Sequence, residues 1–307
     1  MHHPSSILKI LASRRSSYDS PHFIMADPTS ASRTLSTSNL IAQPALEPPP
    51  PSNAPPSPPP DAVAALCELS TLVIIYPGRW PDAHQFLPSP DSPHEVEWFE
   101  GTGTVIGVKR RRVFILSSIH IQDATKHSFW VKGQATGHRQ ERATLVDNCF
   151  VENGIDVAVF SCDVGAFDAA LLARCLPALR WRYTDTFVRG AAVWLVHYPT
   201  VSDNRHGRSA TTRLEGPVAP AVAVGEVLSF DAAAFLFDST IAATGGSSGG
   251  VVVDADGRML GVHDSQHDDN PLAPGQPVSS HRAADELRAV FGRNRQVQHI
   301  FDEAAVA

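Results

Sequence analysis

The stretch from Thr244 to Val262 leaves the chain the least freedom. Thr244-Gly245-Gly246-Ser247-Ser248-Gly249-Gly250 runs into Val251-Val252-Val253. An Asp/Gly-rich group, Asp254-Ala255-Asp256-Gly257, and a second apolar run, Met259-Leu260-Gly261-Val262, follow. Clustered glycines break helices and permit positive φ, whereas three successive valines favour a pleated, buried strand. The segment therefore predicts a tight turn that feeds a β-hairpin. A nucleophilic serine has to be presented on such a turn, and the turn's backbone N–H groups can point at a developing oxyanion. The spacing Gly-x-Ser-Gly-Gly puts Ser248 at the tip, with the N–H groups of Gly246 and Ser248 as the candidate oxyanion hole.

The same residues satisfy the loose Gly-x-Ser-x-Gly elbow of α/β-hydrolases. That elbow needs a helix after the serine and an acid and a histidine further downstream. Here a strand follows, and only 59 residues remain after Ser248. The elbow reading is poor.

Residues 1–60 differ from the rest. They are rich in Ser and Thr, and ten of the twenty residues from Ile41 to Pro60 are proline. Such a segment cannot bury enough apolar surface to offset its ordering entropy, and it reads as a disordered or polyproline tail. The remaining 247 residues are long enough for one large domain or two subdomains. They carry 21 Lys/Arg against 29 Asp/Glu, a net of −8, which argues against a general nucleic-acid binder. The four cysteines (Cys67, Cys149, Cys162, Cys175) have no C-x-x-C or paired metal spacing, so free thiols or two disulfides both stay open. No stretch reads as a membrane span, and Lys9 interrupts the short apolar run Ile7–Leu11, which speaks against a secretory signal. Compartment is left unknown, with an intracellular or organellar setting slightly favoured.

From Leu69 onward the chain reads as short β-strands. Leu69–Tyr76 is a first strand. Phe99–Val108 and Val113–His120 flank a basic turn, Lys109–Arg112, that reads as a solvated hairpin tip. Phe129–Val131, Ala143–Val146, Ala191–Pro199, Val222–Phe230 and Ala234–Phe237 are further strands. Asp156 stands directly before Val157-Ala158-Val159-Phe160, where a carboxylate needs hydrogen bonds. A neighbouring imidazole or a turn cap would supply them. Near the end, Ser280–Gly292 reads as one helix with Ser280 as N-cap and Gly292 as C′.

The order His120, Asp156, Ser248, each in a distinctive setting, resembles the trypsin-like (chymotrypsin-fold) serine peptidases. The nearest likeness is to the HtrA (Deg) and glutamyl-endopeptidase branch. It rests on Gly101-Thr102-Gly103-Thr104-Val105-Ile106, Ile155-Asp156-Val157-Ala158-Val159, Leu195-Val196-His197-Tyr198-Pro199 and the serine loop, and it runs from about Leu69 to Phe291. The resemblance implies an all-β fold of two packed six-stranded antiparallel β-barrels, with a C-terminal helix and a disordered N-terminal tail. It implies a peptidase domain over 61–295: a first barrel at about 68–178, a second at about 185–280, a helix at about 281–291 and a tail over 296–307. It implies a His120–Asp156–Ser248 triad, an oxyanion hole from Gly246 and Ser248, a polypeptide substrate, and neither metal nor cofactor. Ile119 and Ser247 depart from the family's usual residues beside the histidine and the serine, and no downstream PDZ module fits in the residues after the helix.

Within that likeness, Ala242, Ala243 and His263 fall where the substrate pocket would be. Ala242 stands where trypsin has an aspartate, so cleavage after Lys or Arg is not expected. Gly261-Val262-His263 is similar to a Gly-Ile-His of glutamyl endopeptidases, which implies a preference for acidic P1 residues; a nonselective wall is the alternative. The rival to a peptidase is a catalytically inactive module that binds protein partners through the cleft or the proline-rich tail. Nucleic acid and membrane are not expected partners. His267, Asp268 and Asp269 read as a polar loop rather than a metal site.

Overall fold

A computed structural model describes residues 61–79, 81, 99–118, 126–148, 155–184, 186–199, 218–267 and 277–302. The proline-rich tail, Ile119, His120, Cys149, Asp268 and Asp269 lie outside the described residues. Among the described residues, helix α1 (Asp61–Leu69) leads into β1 (Ser70–Pro77), β2 (Phe99–Lys109), β3 (Arg112–Ser117), β4 (His127–Gly133), β5 (Glu141–Asn148) and β6 (Ala158–Asp163). Helix α2 (Ala169–Cys175) follows, and then β7 (Ala192–His197), β8 (Ala221–Asp231), β9 (Leu236–Ser239), β10 (Val251–Val253), β11 (Met259–His267) and β12 (Val278–Ala283). Helices α3 (Ala284–Phe291) and α4 (Gln298–Asp302) end the described chain. The strands close into two antiparallel barrels, in the orders β1-β2-β3-β6-β5-β4 and β10-β11-β12-β9-β8-β7, each of six strands. This is the all-β, two-barrel architecture expected from the sequence.

The solid apolar runs have a simple cause. Strands bury alternate residues on opposite faces. In β7, Val193 and Leu195 fill the second barrel, while Trp194 and Val196 join the larger core that also contains the first barrel's interior. The valines of β10 divide likewise: Val252 points inward, Val251 and Val253 outward. In β1, Val73 and Ile75 pack into the first core and Leu72, Ile74 and Tyr76 into a separate cluster with Trp130 and Tyr198. β8 alternates toward solvent, leaving Val222 and Val224 exposed.

The turns follow their predicted chemistry. Arg110 and Arg111 sit at φ 48° and 66° between the paired residues Lys109 and Arg112, a two-residue hairpin tip. Asp254 Oδ1 accepts from the N–H groups of Asp256 and Arg258, each at 2.9 Å, and closes the β10–β11 turn. Arg182 Nη1 donates to the other oxygen of Asp254 at 2.8 Å.

The helices needed correction. Ser280 is not an N-cap, because residues 278–283 are strand β12, paired with both β9 and β11. Its serine side chains are buried but satisfied: Ser279 Oγ donates to Ile241 O at 2.7 Å and Ser280 Oγ to Asp238 Oδ1 at 2.6 Å. The ladder on both edges outcompetes the capping signal, and α3 begins at Ala284. Helix α1 was not anticipated, although Val63, Leu66 and Leu69 recur at helical spacing on its buried face. Nor was α2, capped by Asp168, whose Oδ1 accepts from Ala170 N and Leu171 N. Cys67, Cys162 and Cys175 are free thiols. Burial pushes the Cys162 thiol up to about 12, so it is inert at neutral pH.

Of the segment read as a C-terminal tail, Gln298–Asp302 is helix α4. Phe301 of α4 is fully buried, stacked on Phe291 and tilted against Trp181, with both ring centroids at 5.4 Å. Tyr183 Oη donates to the Phe301 carbonyl at 2.6 Å. Ile300 packs where a side chain on Gly107 of β2 would stand, at 3.0 Å. Truncating Phe301 to alanine removes an aromatic from a filled site and is expected to cost about 3–5 kcal/mol of stability, read by chemical denaturation.

Candidate active site

The serine turn is held from within and from the opposite barrel. Inside it, Ser247 N–H donates to Thr244 O at 3.0 Å and Gly250 N–H to Ser247 O at 2.9 Å. Gly246 and Gly249 take φ of 81° and 86°, which only glycine adopts cheaply. β11 grips the exit of the turn: Gly249 N–H donates to His263 O at 3.0 Å and His263 N–H to Gly250 O at 2.8 Å. Ser248 is half-buried at the tip and Ser247 is fully buried beneath it.

Ser247 is anchored by β7. Its Oγ lies 2.7 Å from His197 Nδ1 and 3.0 Å from Thr244 N. A backbone N–H can only donate, so the hydroxyl accepts from Thr244; it pairs with Nδ1 as donor or as acceptor according to the imidazole tautomer. Burial, by disfavouring the charged form, pushes the His197 pKa below its ordinary value.

The turn docks on the first barrel at Thr102. Thr102 N–H donates to Ser248 O at 2.8 Å, and Thr102 Oγ1 to Gly246 O at 2.7 Å. Gly249 presses so closely that a Cβ there would stand 2.2 Å from Thr102 O and 2.5 Å from Ser118 N. Ser118 lies two residues before His120 in the sequence. The first-barrel register brings Asp156 to the same edge. Gly103 pairs with Ser117 and Ser117 with Ala158, so β2, β3 and β6 are aligned there. In the sequence His120 follows three residues after Ser117, and Asp156 stands two residues ahead of Ala158. Asp156 is 5% exposed, at the centre of a three-residue turn closed by Val157 N–H donating to Ile155 O at 2.9 Å. The serine turn of the second barrel thus abuts the first barrel at the end of β3, the end at which Asp156 precedes β6.

Beside the turn, Ala242 is exposed and Ala243 buried. His263 is buried on β11, opposite His281 on β12, with ring centroids 5.3 Å apart. His281 Nε2 lies 2.7 Å from Ser239 Oγ, which also accepts from Ile241 N at 3.3 Å. Complete burial, reinforced by His263, holds His281 far below the usual histidine range. Among the described residues no group of three or more His, Cys, Asp or Glu side chains could hold a metal ion.

The sequence singled out Ser248, Asp156 and the turn glycines but passed over Thr102, Ser247 and His197 as supports. His197 carried a signal, being a histidine in an otherwise apolar strand. Thr102 carried only its place between two glycines.

A model of the trypsin-like peptidase domain family matches residues 101–262, more than half of the chain. No curated protein matches. Among solved structures, the serine endoprotease from Yersinia pestis is similar at 17% identity and a TM-score of 0.47, over 79% of this chain and 66% of that chain.

The close approach at Gly249 has a measurable cost. Gly249→Ala is expected to destabilise the fold by clearly more than Gly137→Ala, by denaturant titration. Gly137 also has positive φ (60°) but has nothing within 4 Å of an added Cβ. Its substitution should therefore show only the left-handed backbone penalty of about 1–2 kcal/mol.

Proposed function

Because the chain belongs to the trypsin-like peptidase domain family, we propose that it is a serine endopeptidase acting on polypeptides. In this reading Ser248 Oγ attacks the scissile carbonyl carbon and its proton passes to His120. The tetrahedral oxyanion is bound by the N–H groups of Gly246 and Ser248. His120 then gives that proton to the leaving amine as the C–N bond breaks, and an acyl-enzyme remains on Ser248. Water, deprotonated by His120, attacks the ester and frees the acid product and the serine. Asp156 orients the imidazole and stabilises its charged form; it is not itself protonated. The observation that carries the reading is the docking of the Ser248 turn on Thr102 and against Ser118, at the edge where Asp156 also stands.

The turn's own geometry supports the oxyanion hole. The peptide between Gly246 and Ser247 is held by Ser247 N–H on Thr244 O, and the Gly246 and Ser248 carbonyls point back to Thr102. Ala242, Ala243 and His263 form the substrate pocket in this proposal. The alanines leave room, and the buried His263 offers a polar group at its wall. Acidic P1 side chains are the substrates such a wall would favour.

A fluorophosphonate probe tests the nucleophile. Wild-type protein should label, Ser248→Ala should not, and Asp156→Asn should label on the order of 10⁴-fold more slowly. Well-folded wild-type protein that fails to label would instead point to a binding module. A peptide-library profile tests the pocket: Glu and Asp should be enriched at P1, and an even profile would make His263 part of a nonselective wall.

A further inference from the structure

Both proposed oxyanion donors belong to residues whose carbonyls are held by one side of one residue. Thr102 N–H takes the Ser248 carbonyl at 2.8 Å and Thr102 Oγ1 takes the Gly246 carbonyl at 2.7 Å. The first bond comes from the backbone, and any residue except proline would supply it. The second needs a hydroxyl.

The direction of that hydroxyl is fixed by chemistry. Tyr198 N–H points at Thr102 Oγ1 at 2.8 Å. A backbone N–H only donates and a carbonyl only accepts, so Oγ1 accepts from Tyr198 and donates to Gly246. Thr102 is fully buried, so water does not compete for either role. Tyr198 is itself tied down, its Oη donating to Ser70 O at 3.1 Å.

The consequence falls on the peptide unit between the two donors. Its carbonyl, of Gly246, is held by Thr102 Oγ1; its N–H, of Ser247, is held by Thr244 O at 3.0 Å. That unit is clamped at both ends. Yet it sits in a turn, Thr244–Ser247, whose two central residues, Gly245 and Gly246, are both glycine. Glycine gives a turn access to more than one conformer, so the backbone alone selects the observed one weakly. Resting on the peptidase reading above, we infer that Thr102 is a positioning residue for the oxyanion-binding turn. Its hydroxyl reaches from the first barrel and fixes the orientation of the peptide between the Gly246 and Ser248 N–H groups. Thr102 does not touch substrate; it acts through the turn.

The test uses the full chain as wild type, Thr102→Val and Thr102→Ser. Valine keeps the shape and removes the hydroxyl; serine keeps the hydroxyl and removes the methyl. Each is measured for fluorophosphonate labelling rate and for kcat and KM on a peptide ester, with thermal melting to establish folding. Loss of a whole oxyanion donor costs on the order of 10²–10³ in rate, and a misplaced one should cost a share of that. T102V is therefore expected to label and turn over roughly 10- to 100-fold more slowly, with KM within about twofold of wild type. T102S is expected to stay within about threefold of wild type on all three quantities, as the hydroxyl is retained. Should T102V fail to fold, Thr102→Ala replaces it against the same serine variant. Labelling of T102V at the wild-type rate overturns the inference and leaves the peptidase reading standing. Equal losses in T102V and T102S also overturn it, since the methyl would then be what matters. Absence of labelling in folded wild type overturns the peptidase reading, and this inference with it.

Discussion

Two barrels that merely touched would not fix a serine turn from one against strand edges of the other. What fixes it is backbone meeting backbone: Thr102 N–H on the Ser248 carbonyl, with Gly249 so close that no side chain fits between. Main-chain groups at such a contact have to be satisfied by each other, because water is excluded. The contact therefore demands an accurate register in both barrels at once. In the first, Thr102 must face out of a closed β1-β2-β3 edge, which the Leu72–Thr102 and Gly103–Ser117 pairs secure. In the second, the turn must enter β10 at the height set by the His263 bonds.

Around this contact the buried polar groups form a repeated type of pair. Ser247 with His197 and Ser239 with His281 each join a serine hydroxyl to a buried imidazole, and each serine also accepts from a backbone N–H. The backbone donor orients the hydroxyl, which in turn holds the imidazole ring. Burial keeps both rings neutral. The Ser247–His197 brace thus adds no fixed charge beside Ser248. A carboxylate in Ser247's place would have brought a charge that His197 alone would have to balance.

The parts of this architecture that could be read from the sequence share a physical property. Strands buried on both faces, such as β1, β7 and β10, give unbroken apolar runs, and the serine turn announces itself by glycines that no other residue could replace at φ 81° and 86°. β12 hid because three of its buried residues are two serines and a histidine, made tolerable by partners such as Ser239 and Asp238 on β9. Helix α4 hid because five residues carry too little periodicity to register. The supports of the candidate site hid for a different reason. Thr102 finds its partners 144 and 96 positions away, and His197 finds Ser247 at a distance of 50. Nothing local marks a threonine whose role is defined by the fold it helps to complete. The ordered trio His120, Asp156 and Ser248 was visible because each member carries its own local setting.

Helix α4 bears on how such a chain is made. It covers Gly107 and approaches Phe114 through His299, and Lys109 Nζ lies 3.2 Å from His299 Nδ1 across a sequence separation of 190 residues. On a ribosome the first barrel emerges whole while the helix that seals its flank is still unmade. Until then the groove beside Gly107 is open apolar surface on an otherwise finished module. Closing it late adds long-range contacts that lengthen folding, and any release of nascent chain short of residue 300 would leave that flank bare. The clasp therefore makes completion of the N-terminal barrel contingent on synthesis of nearly all the described chain.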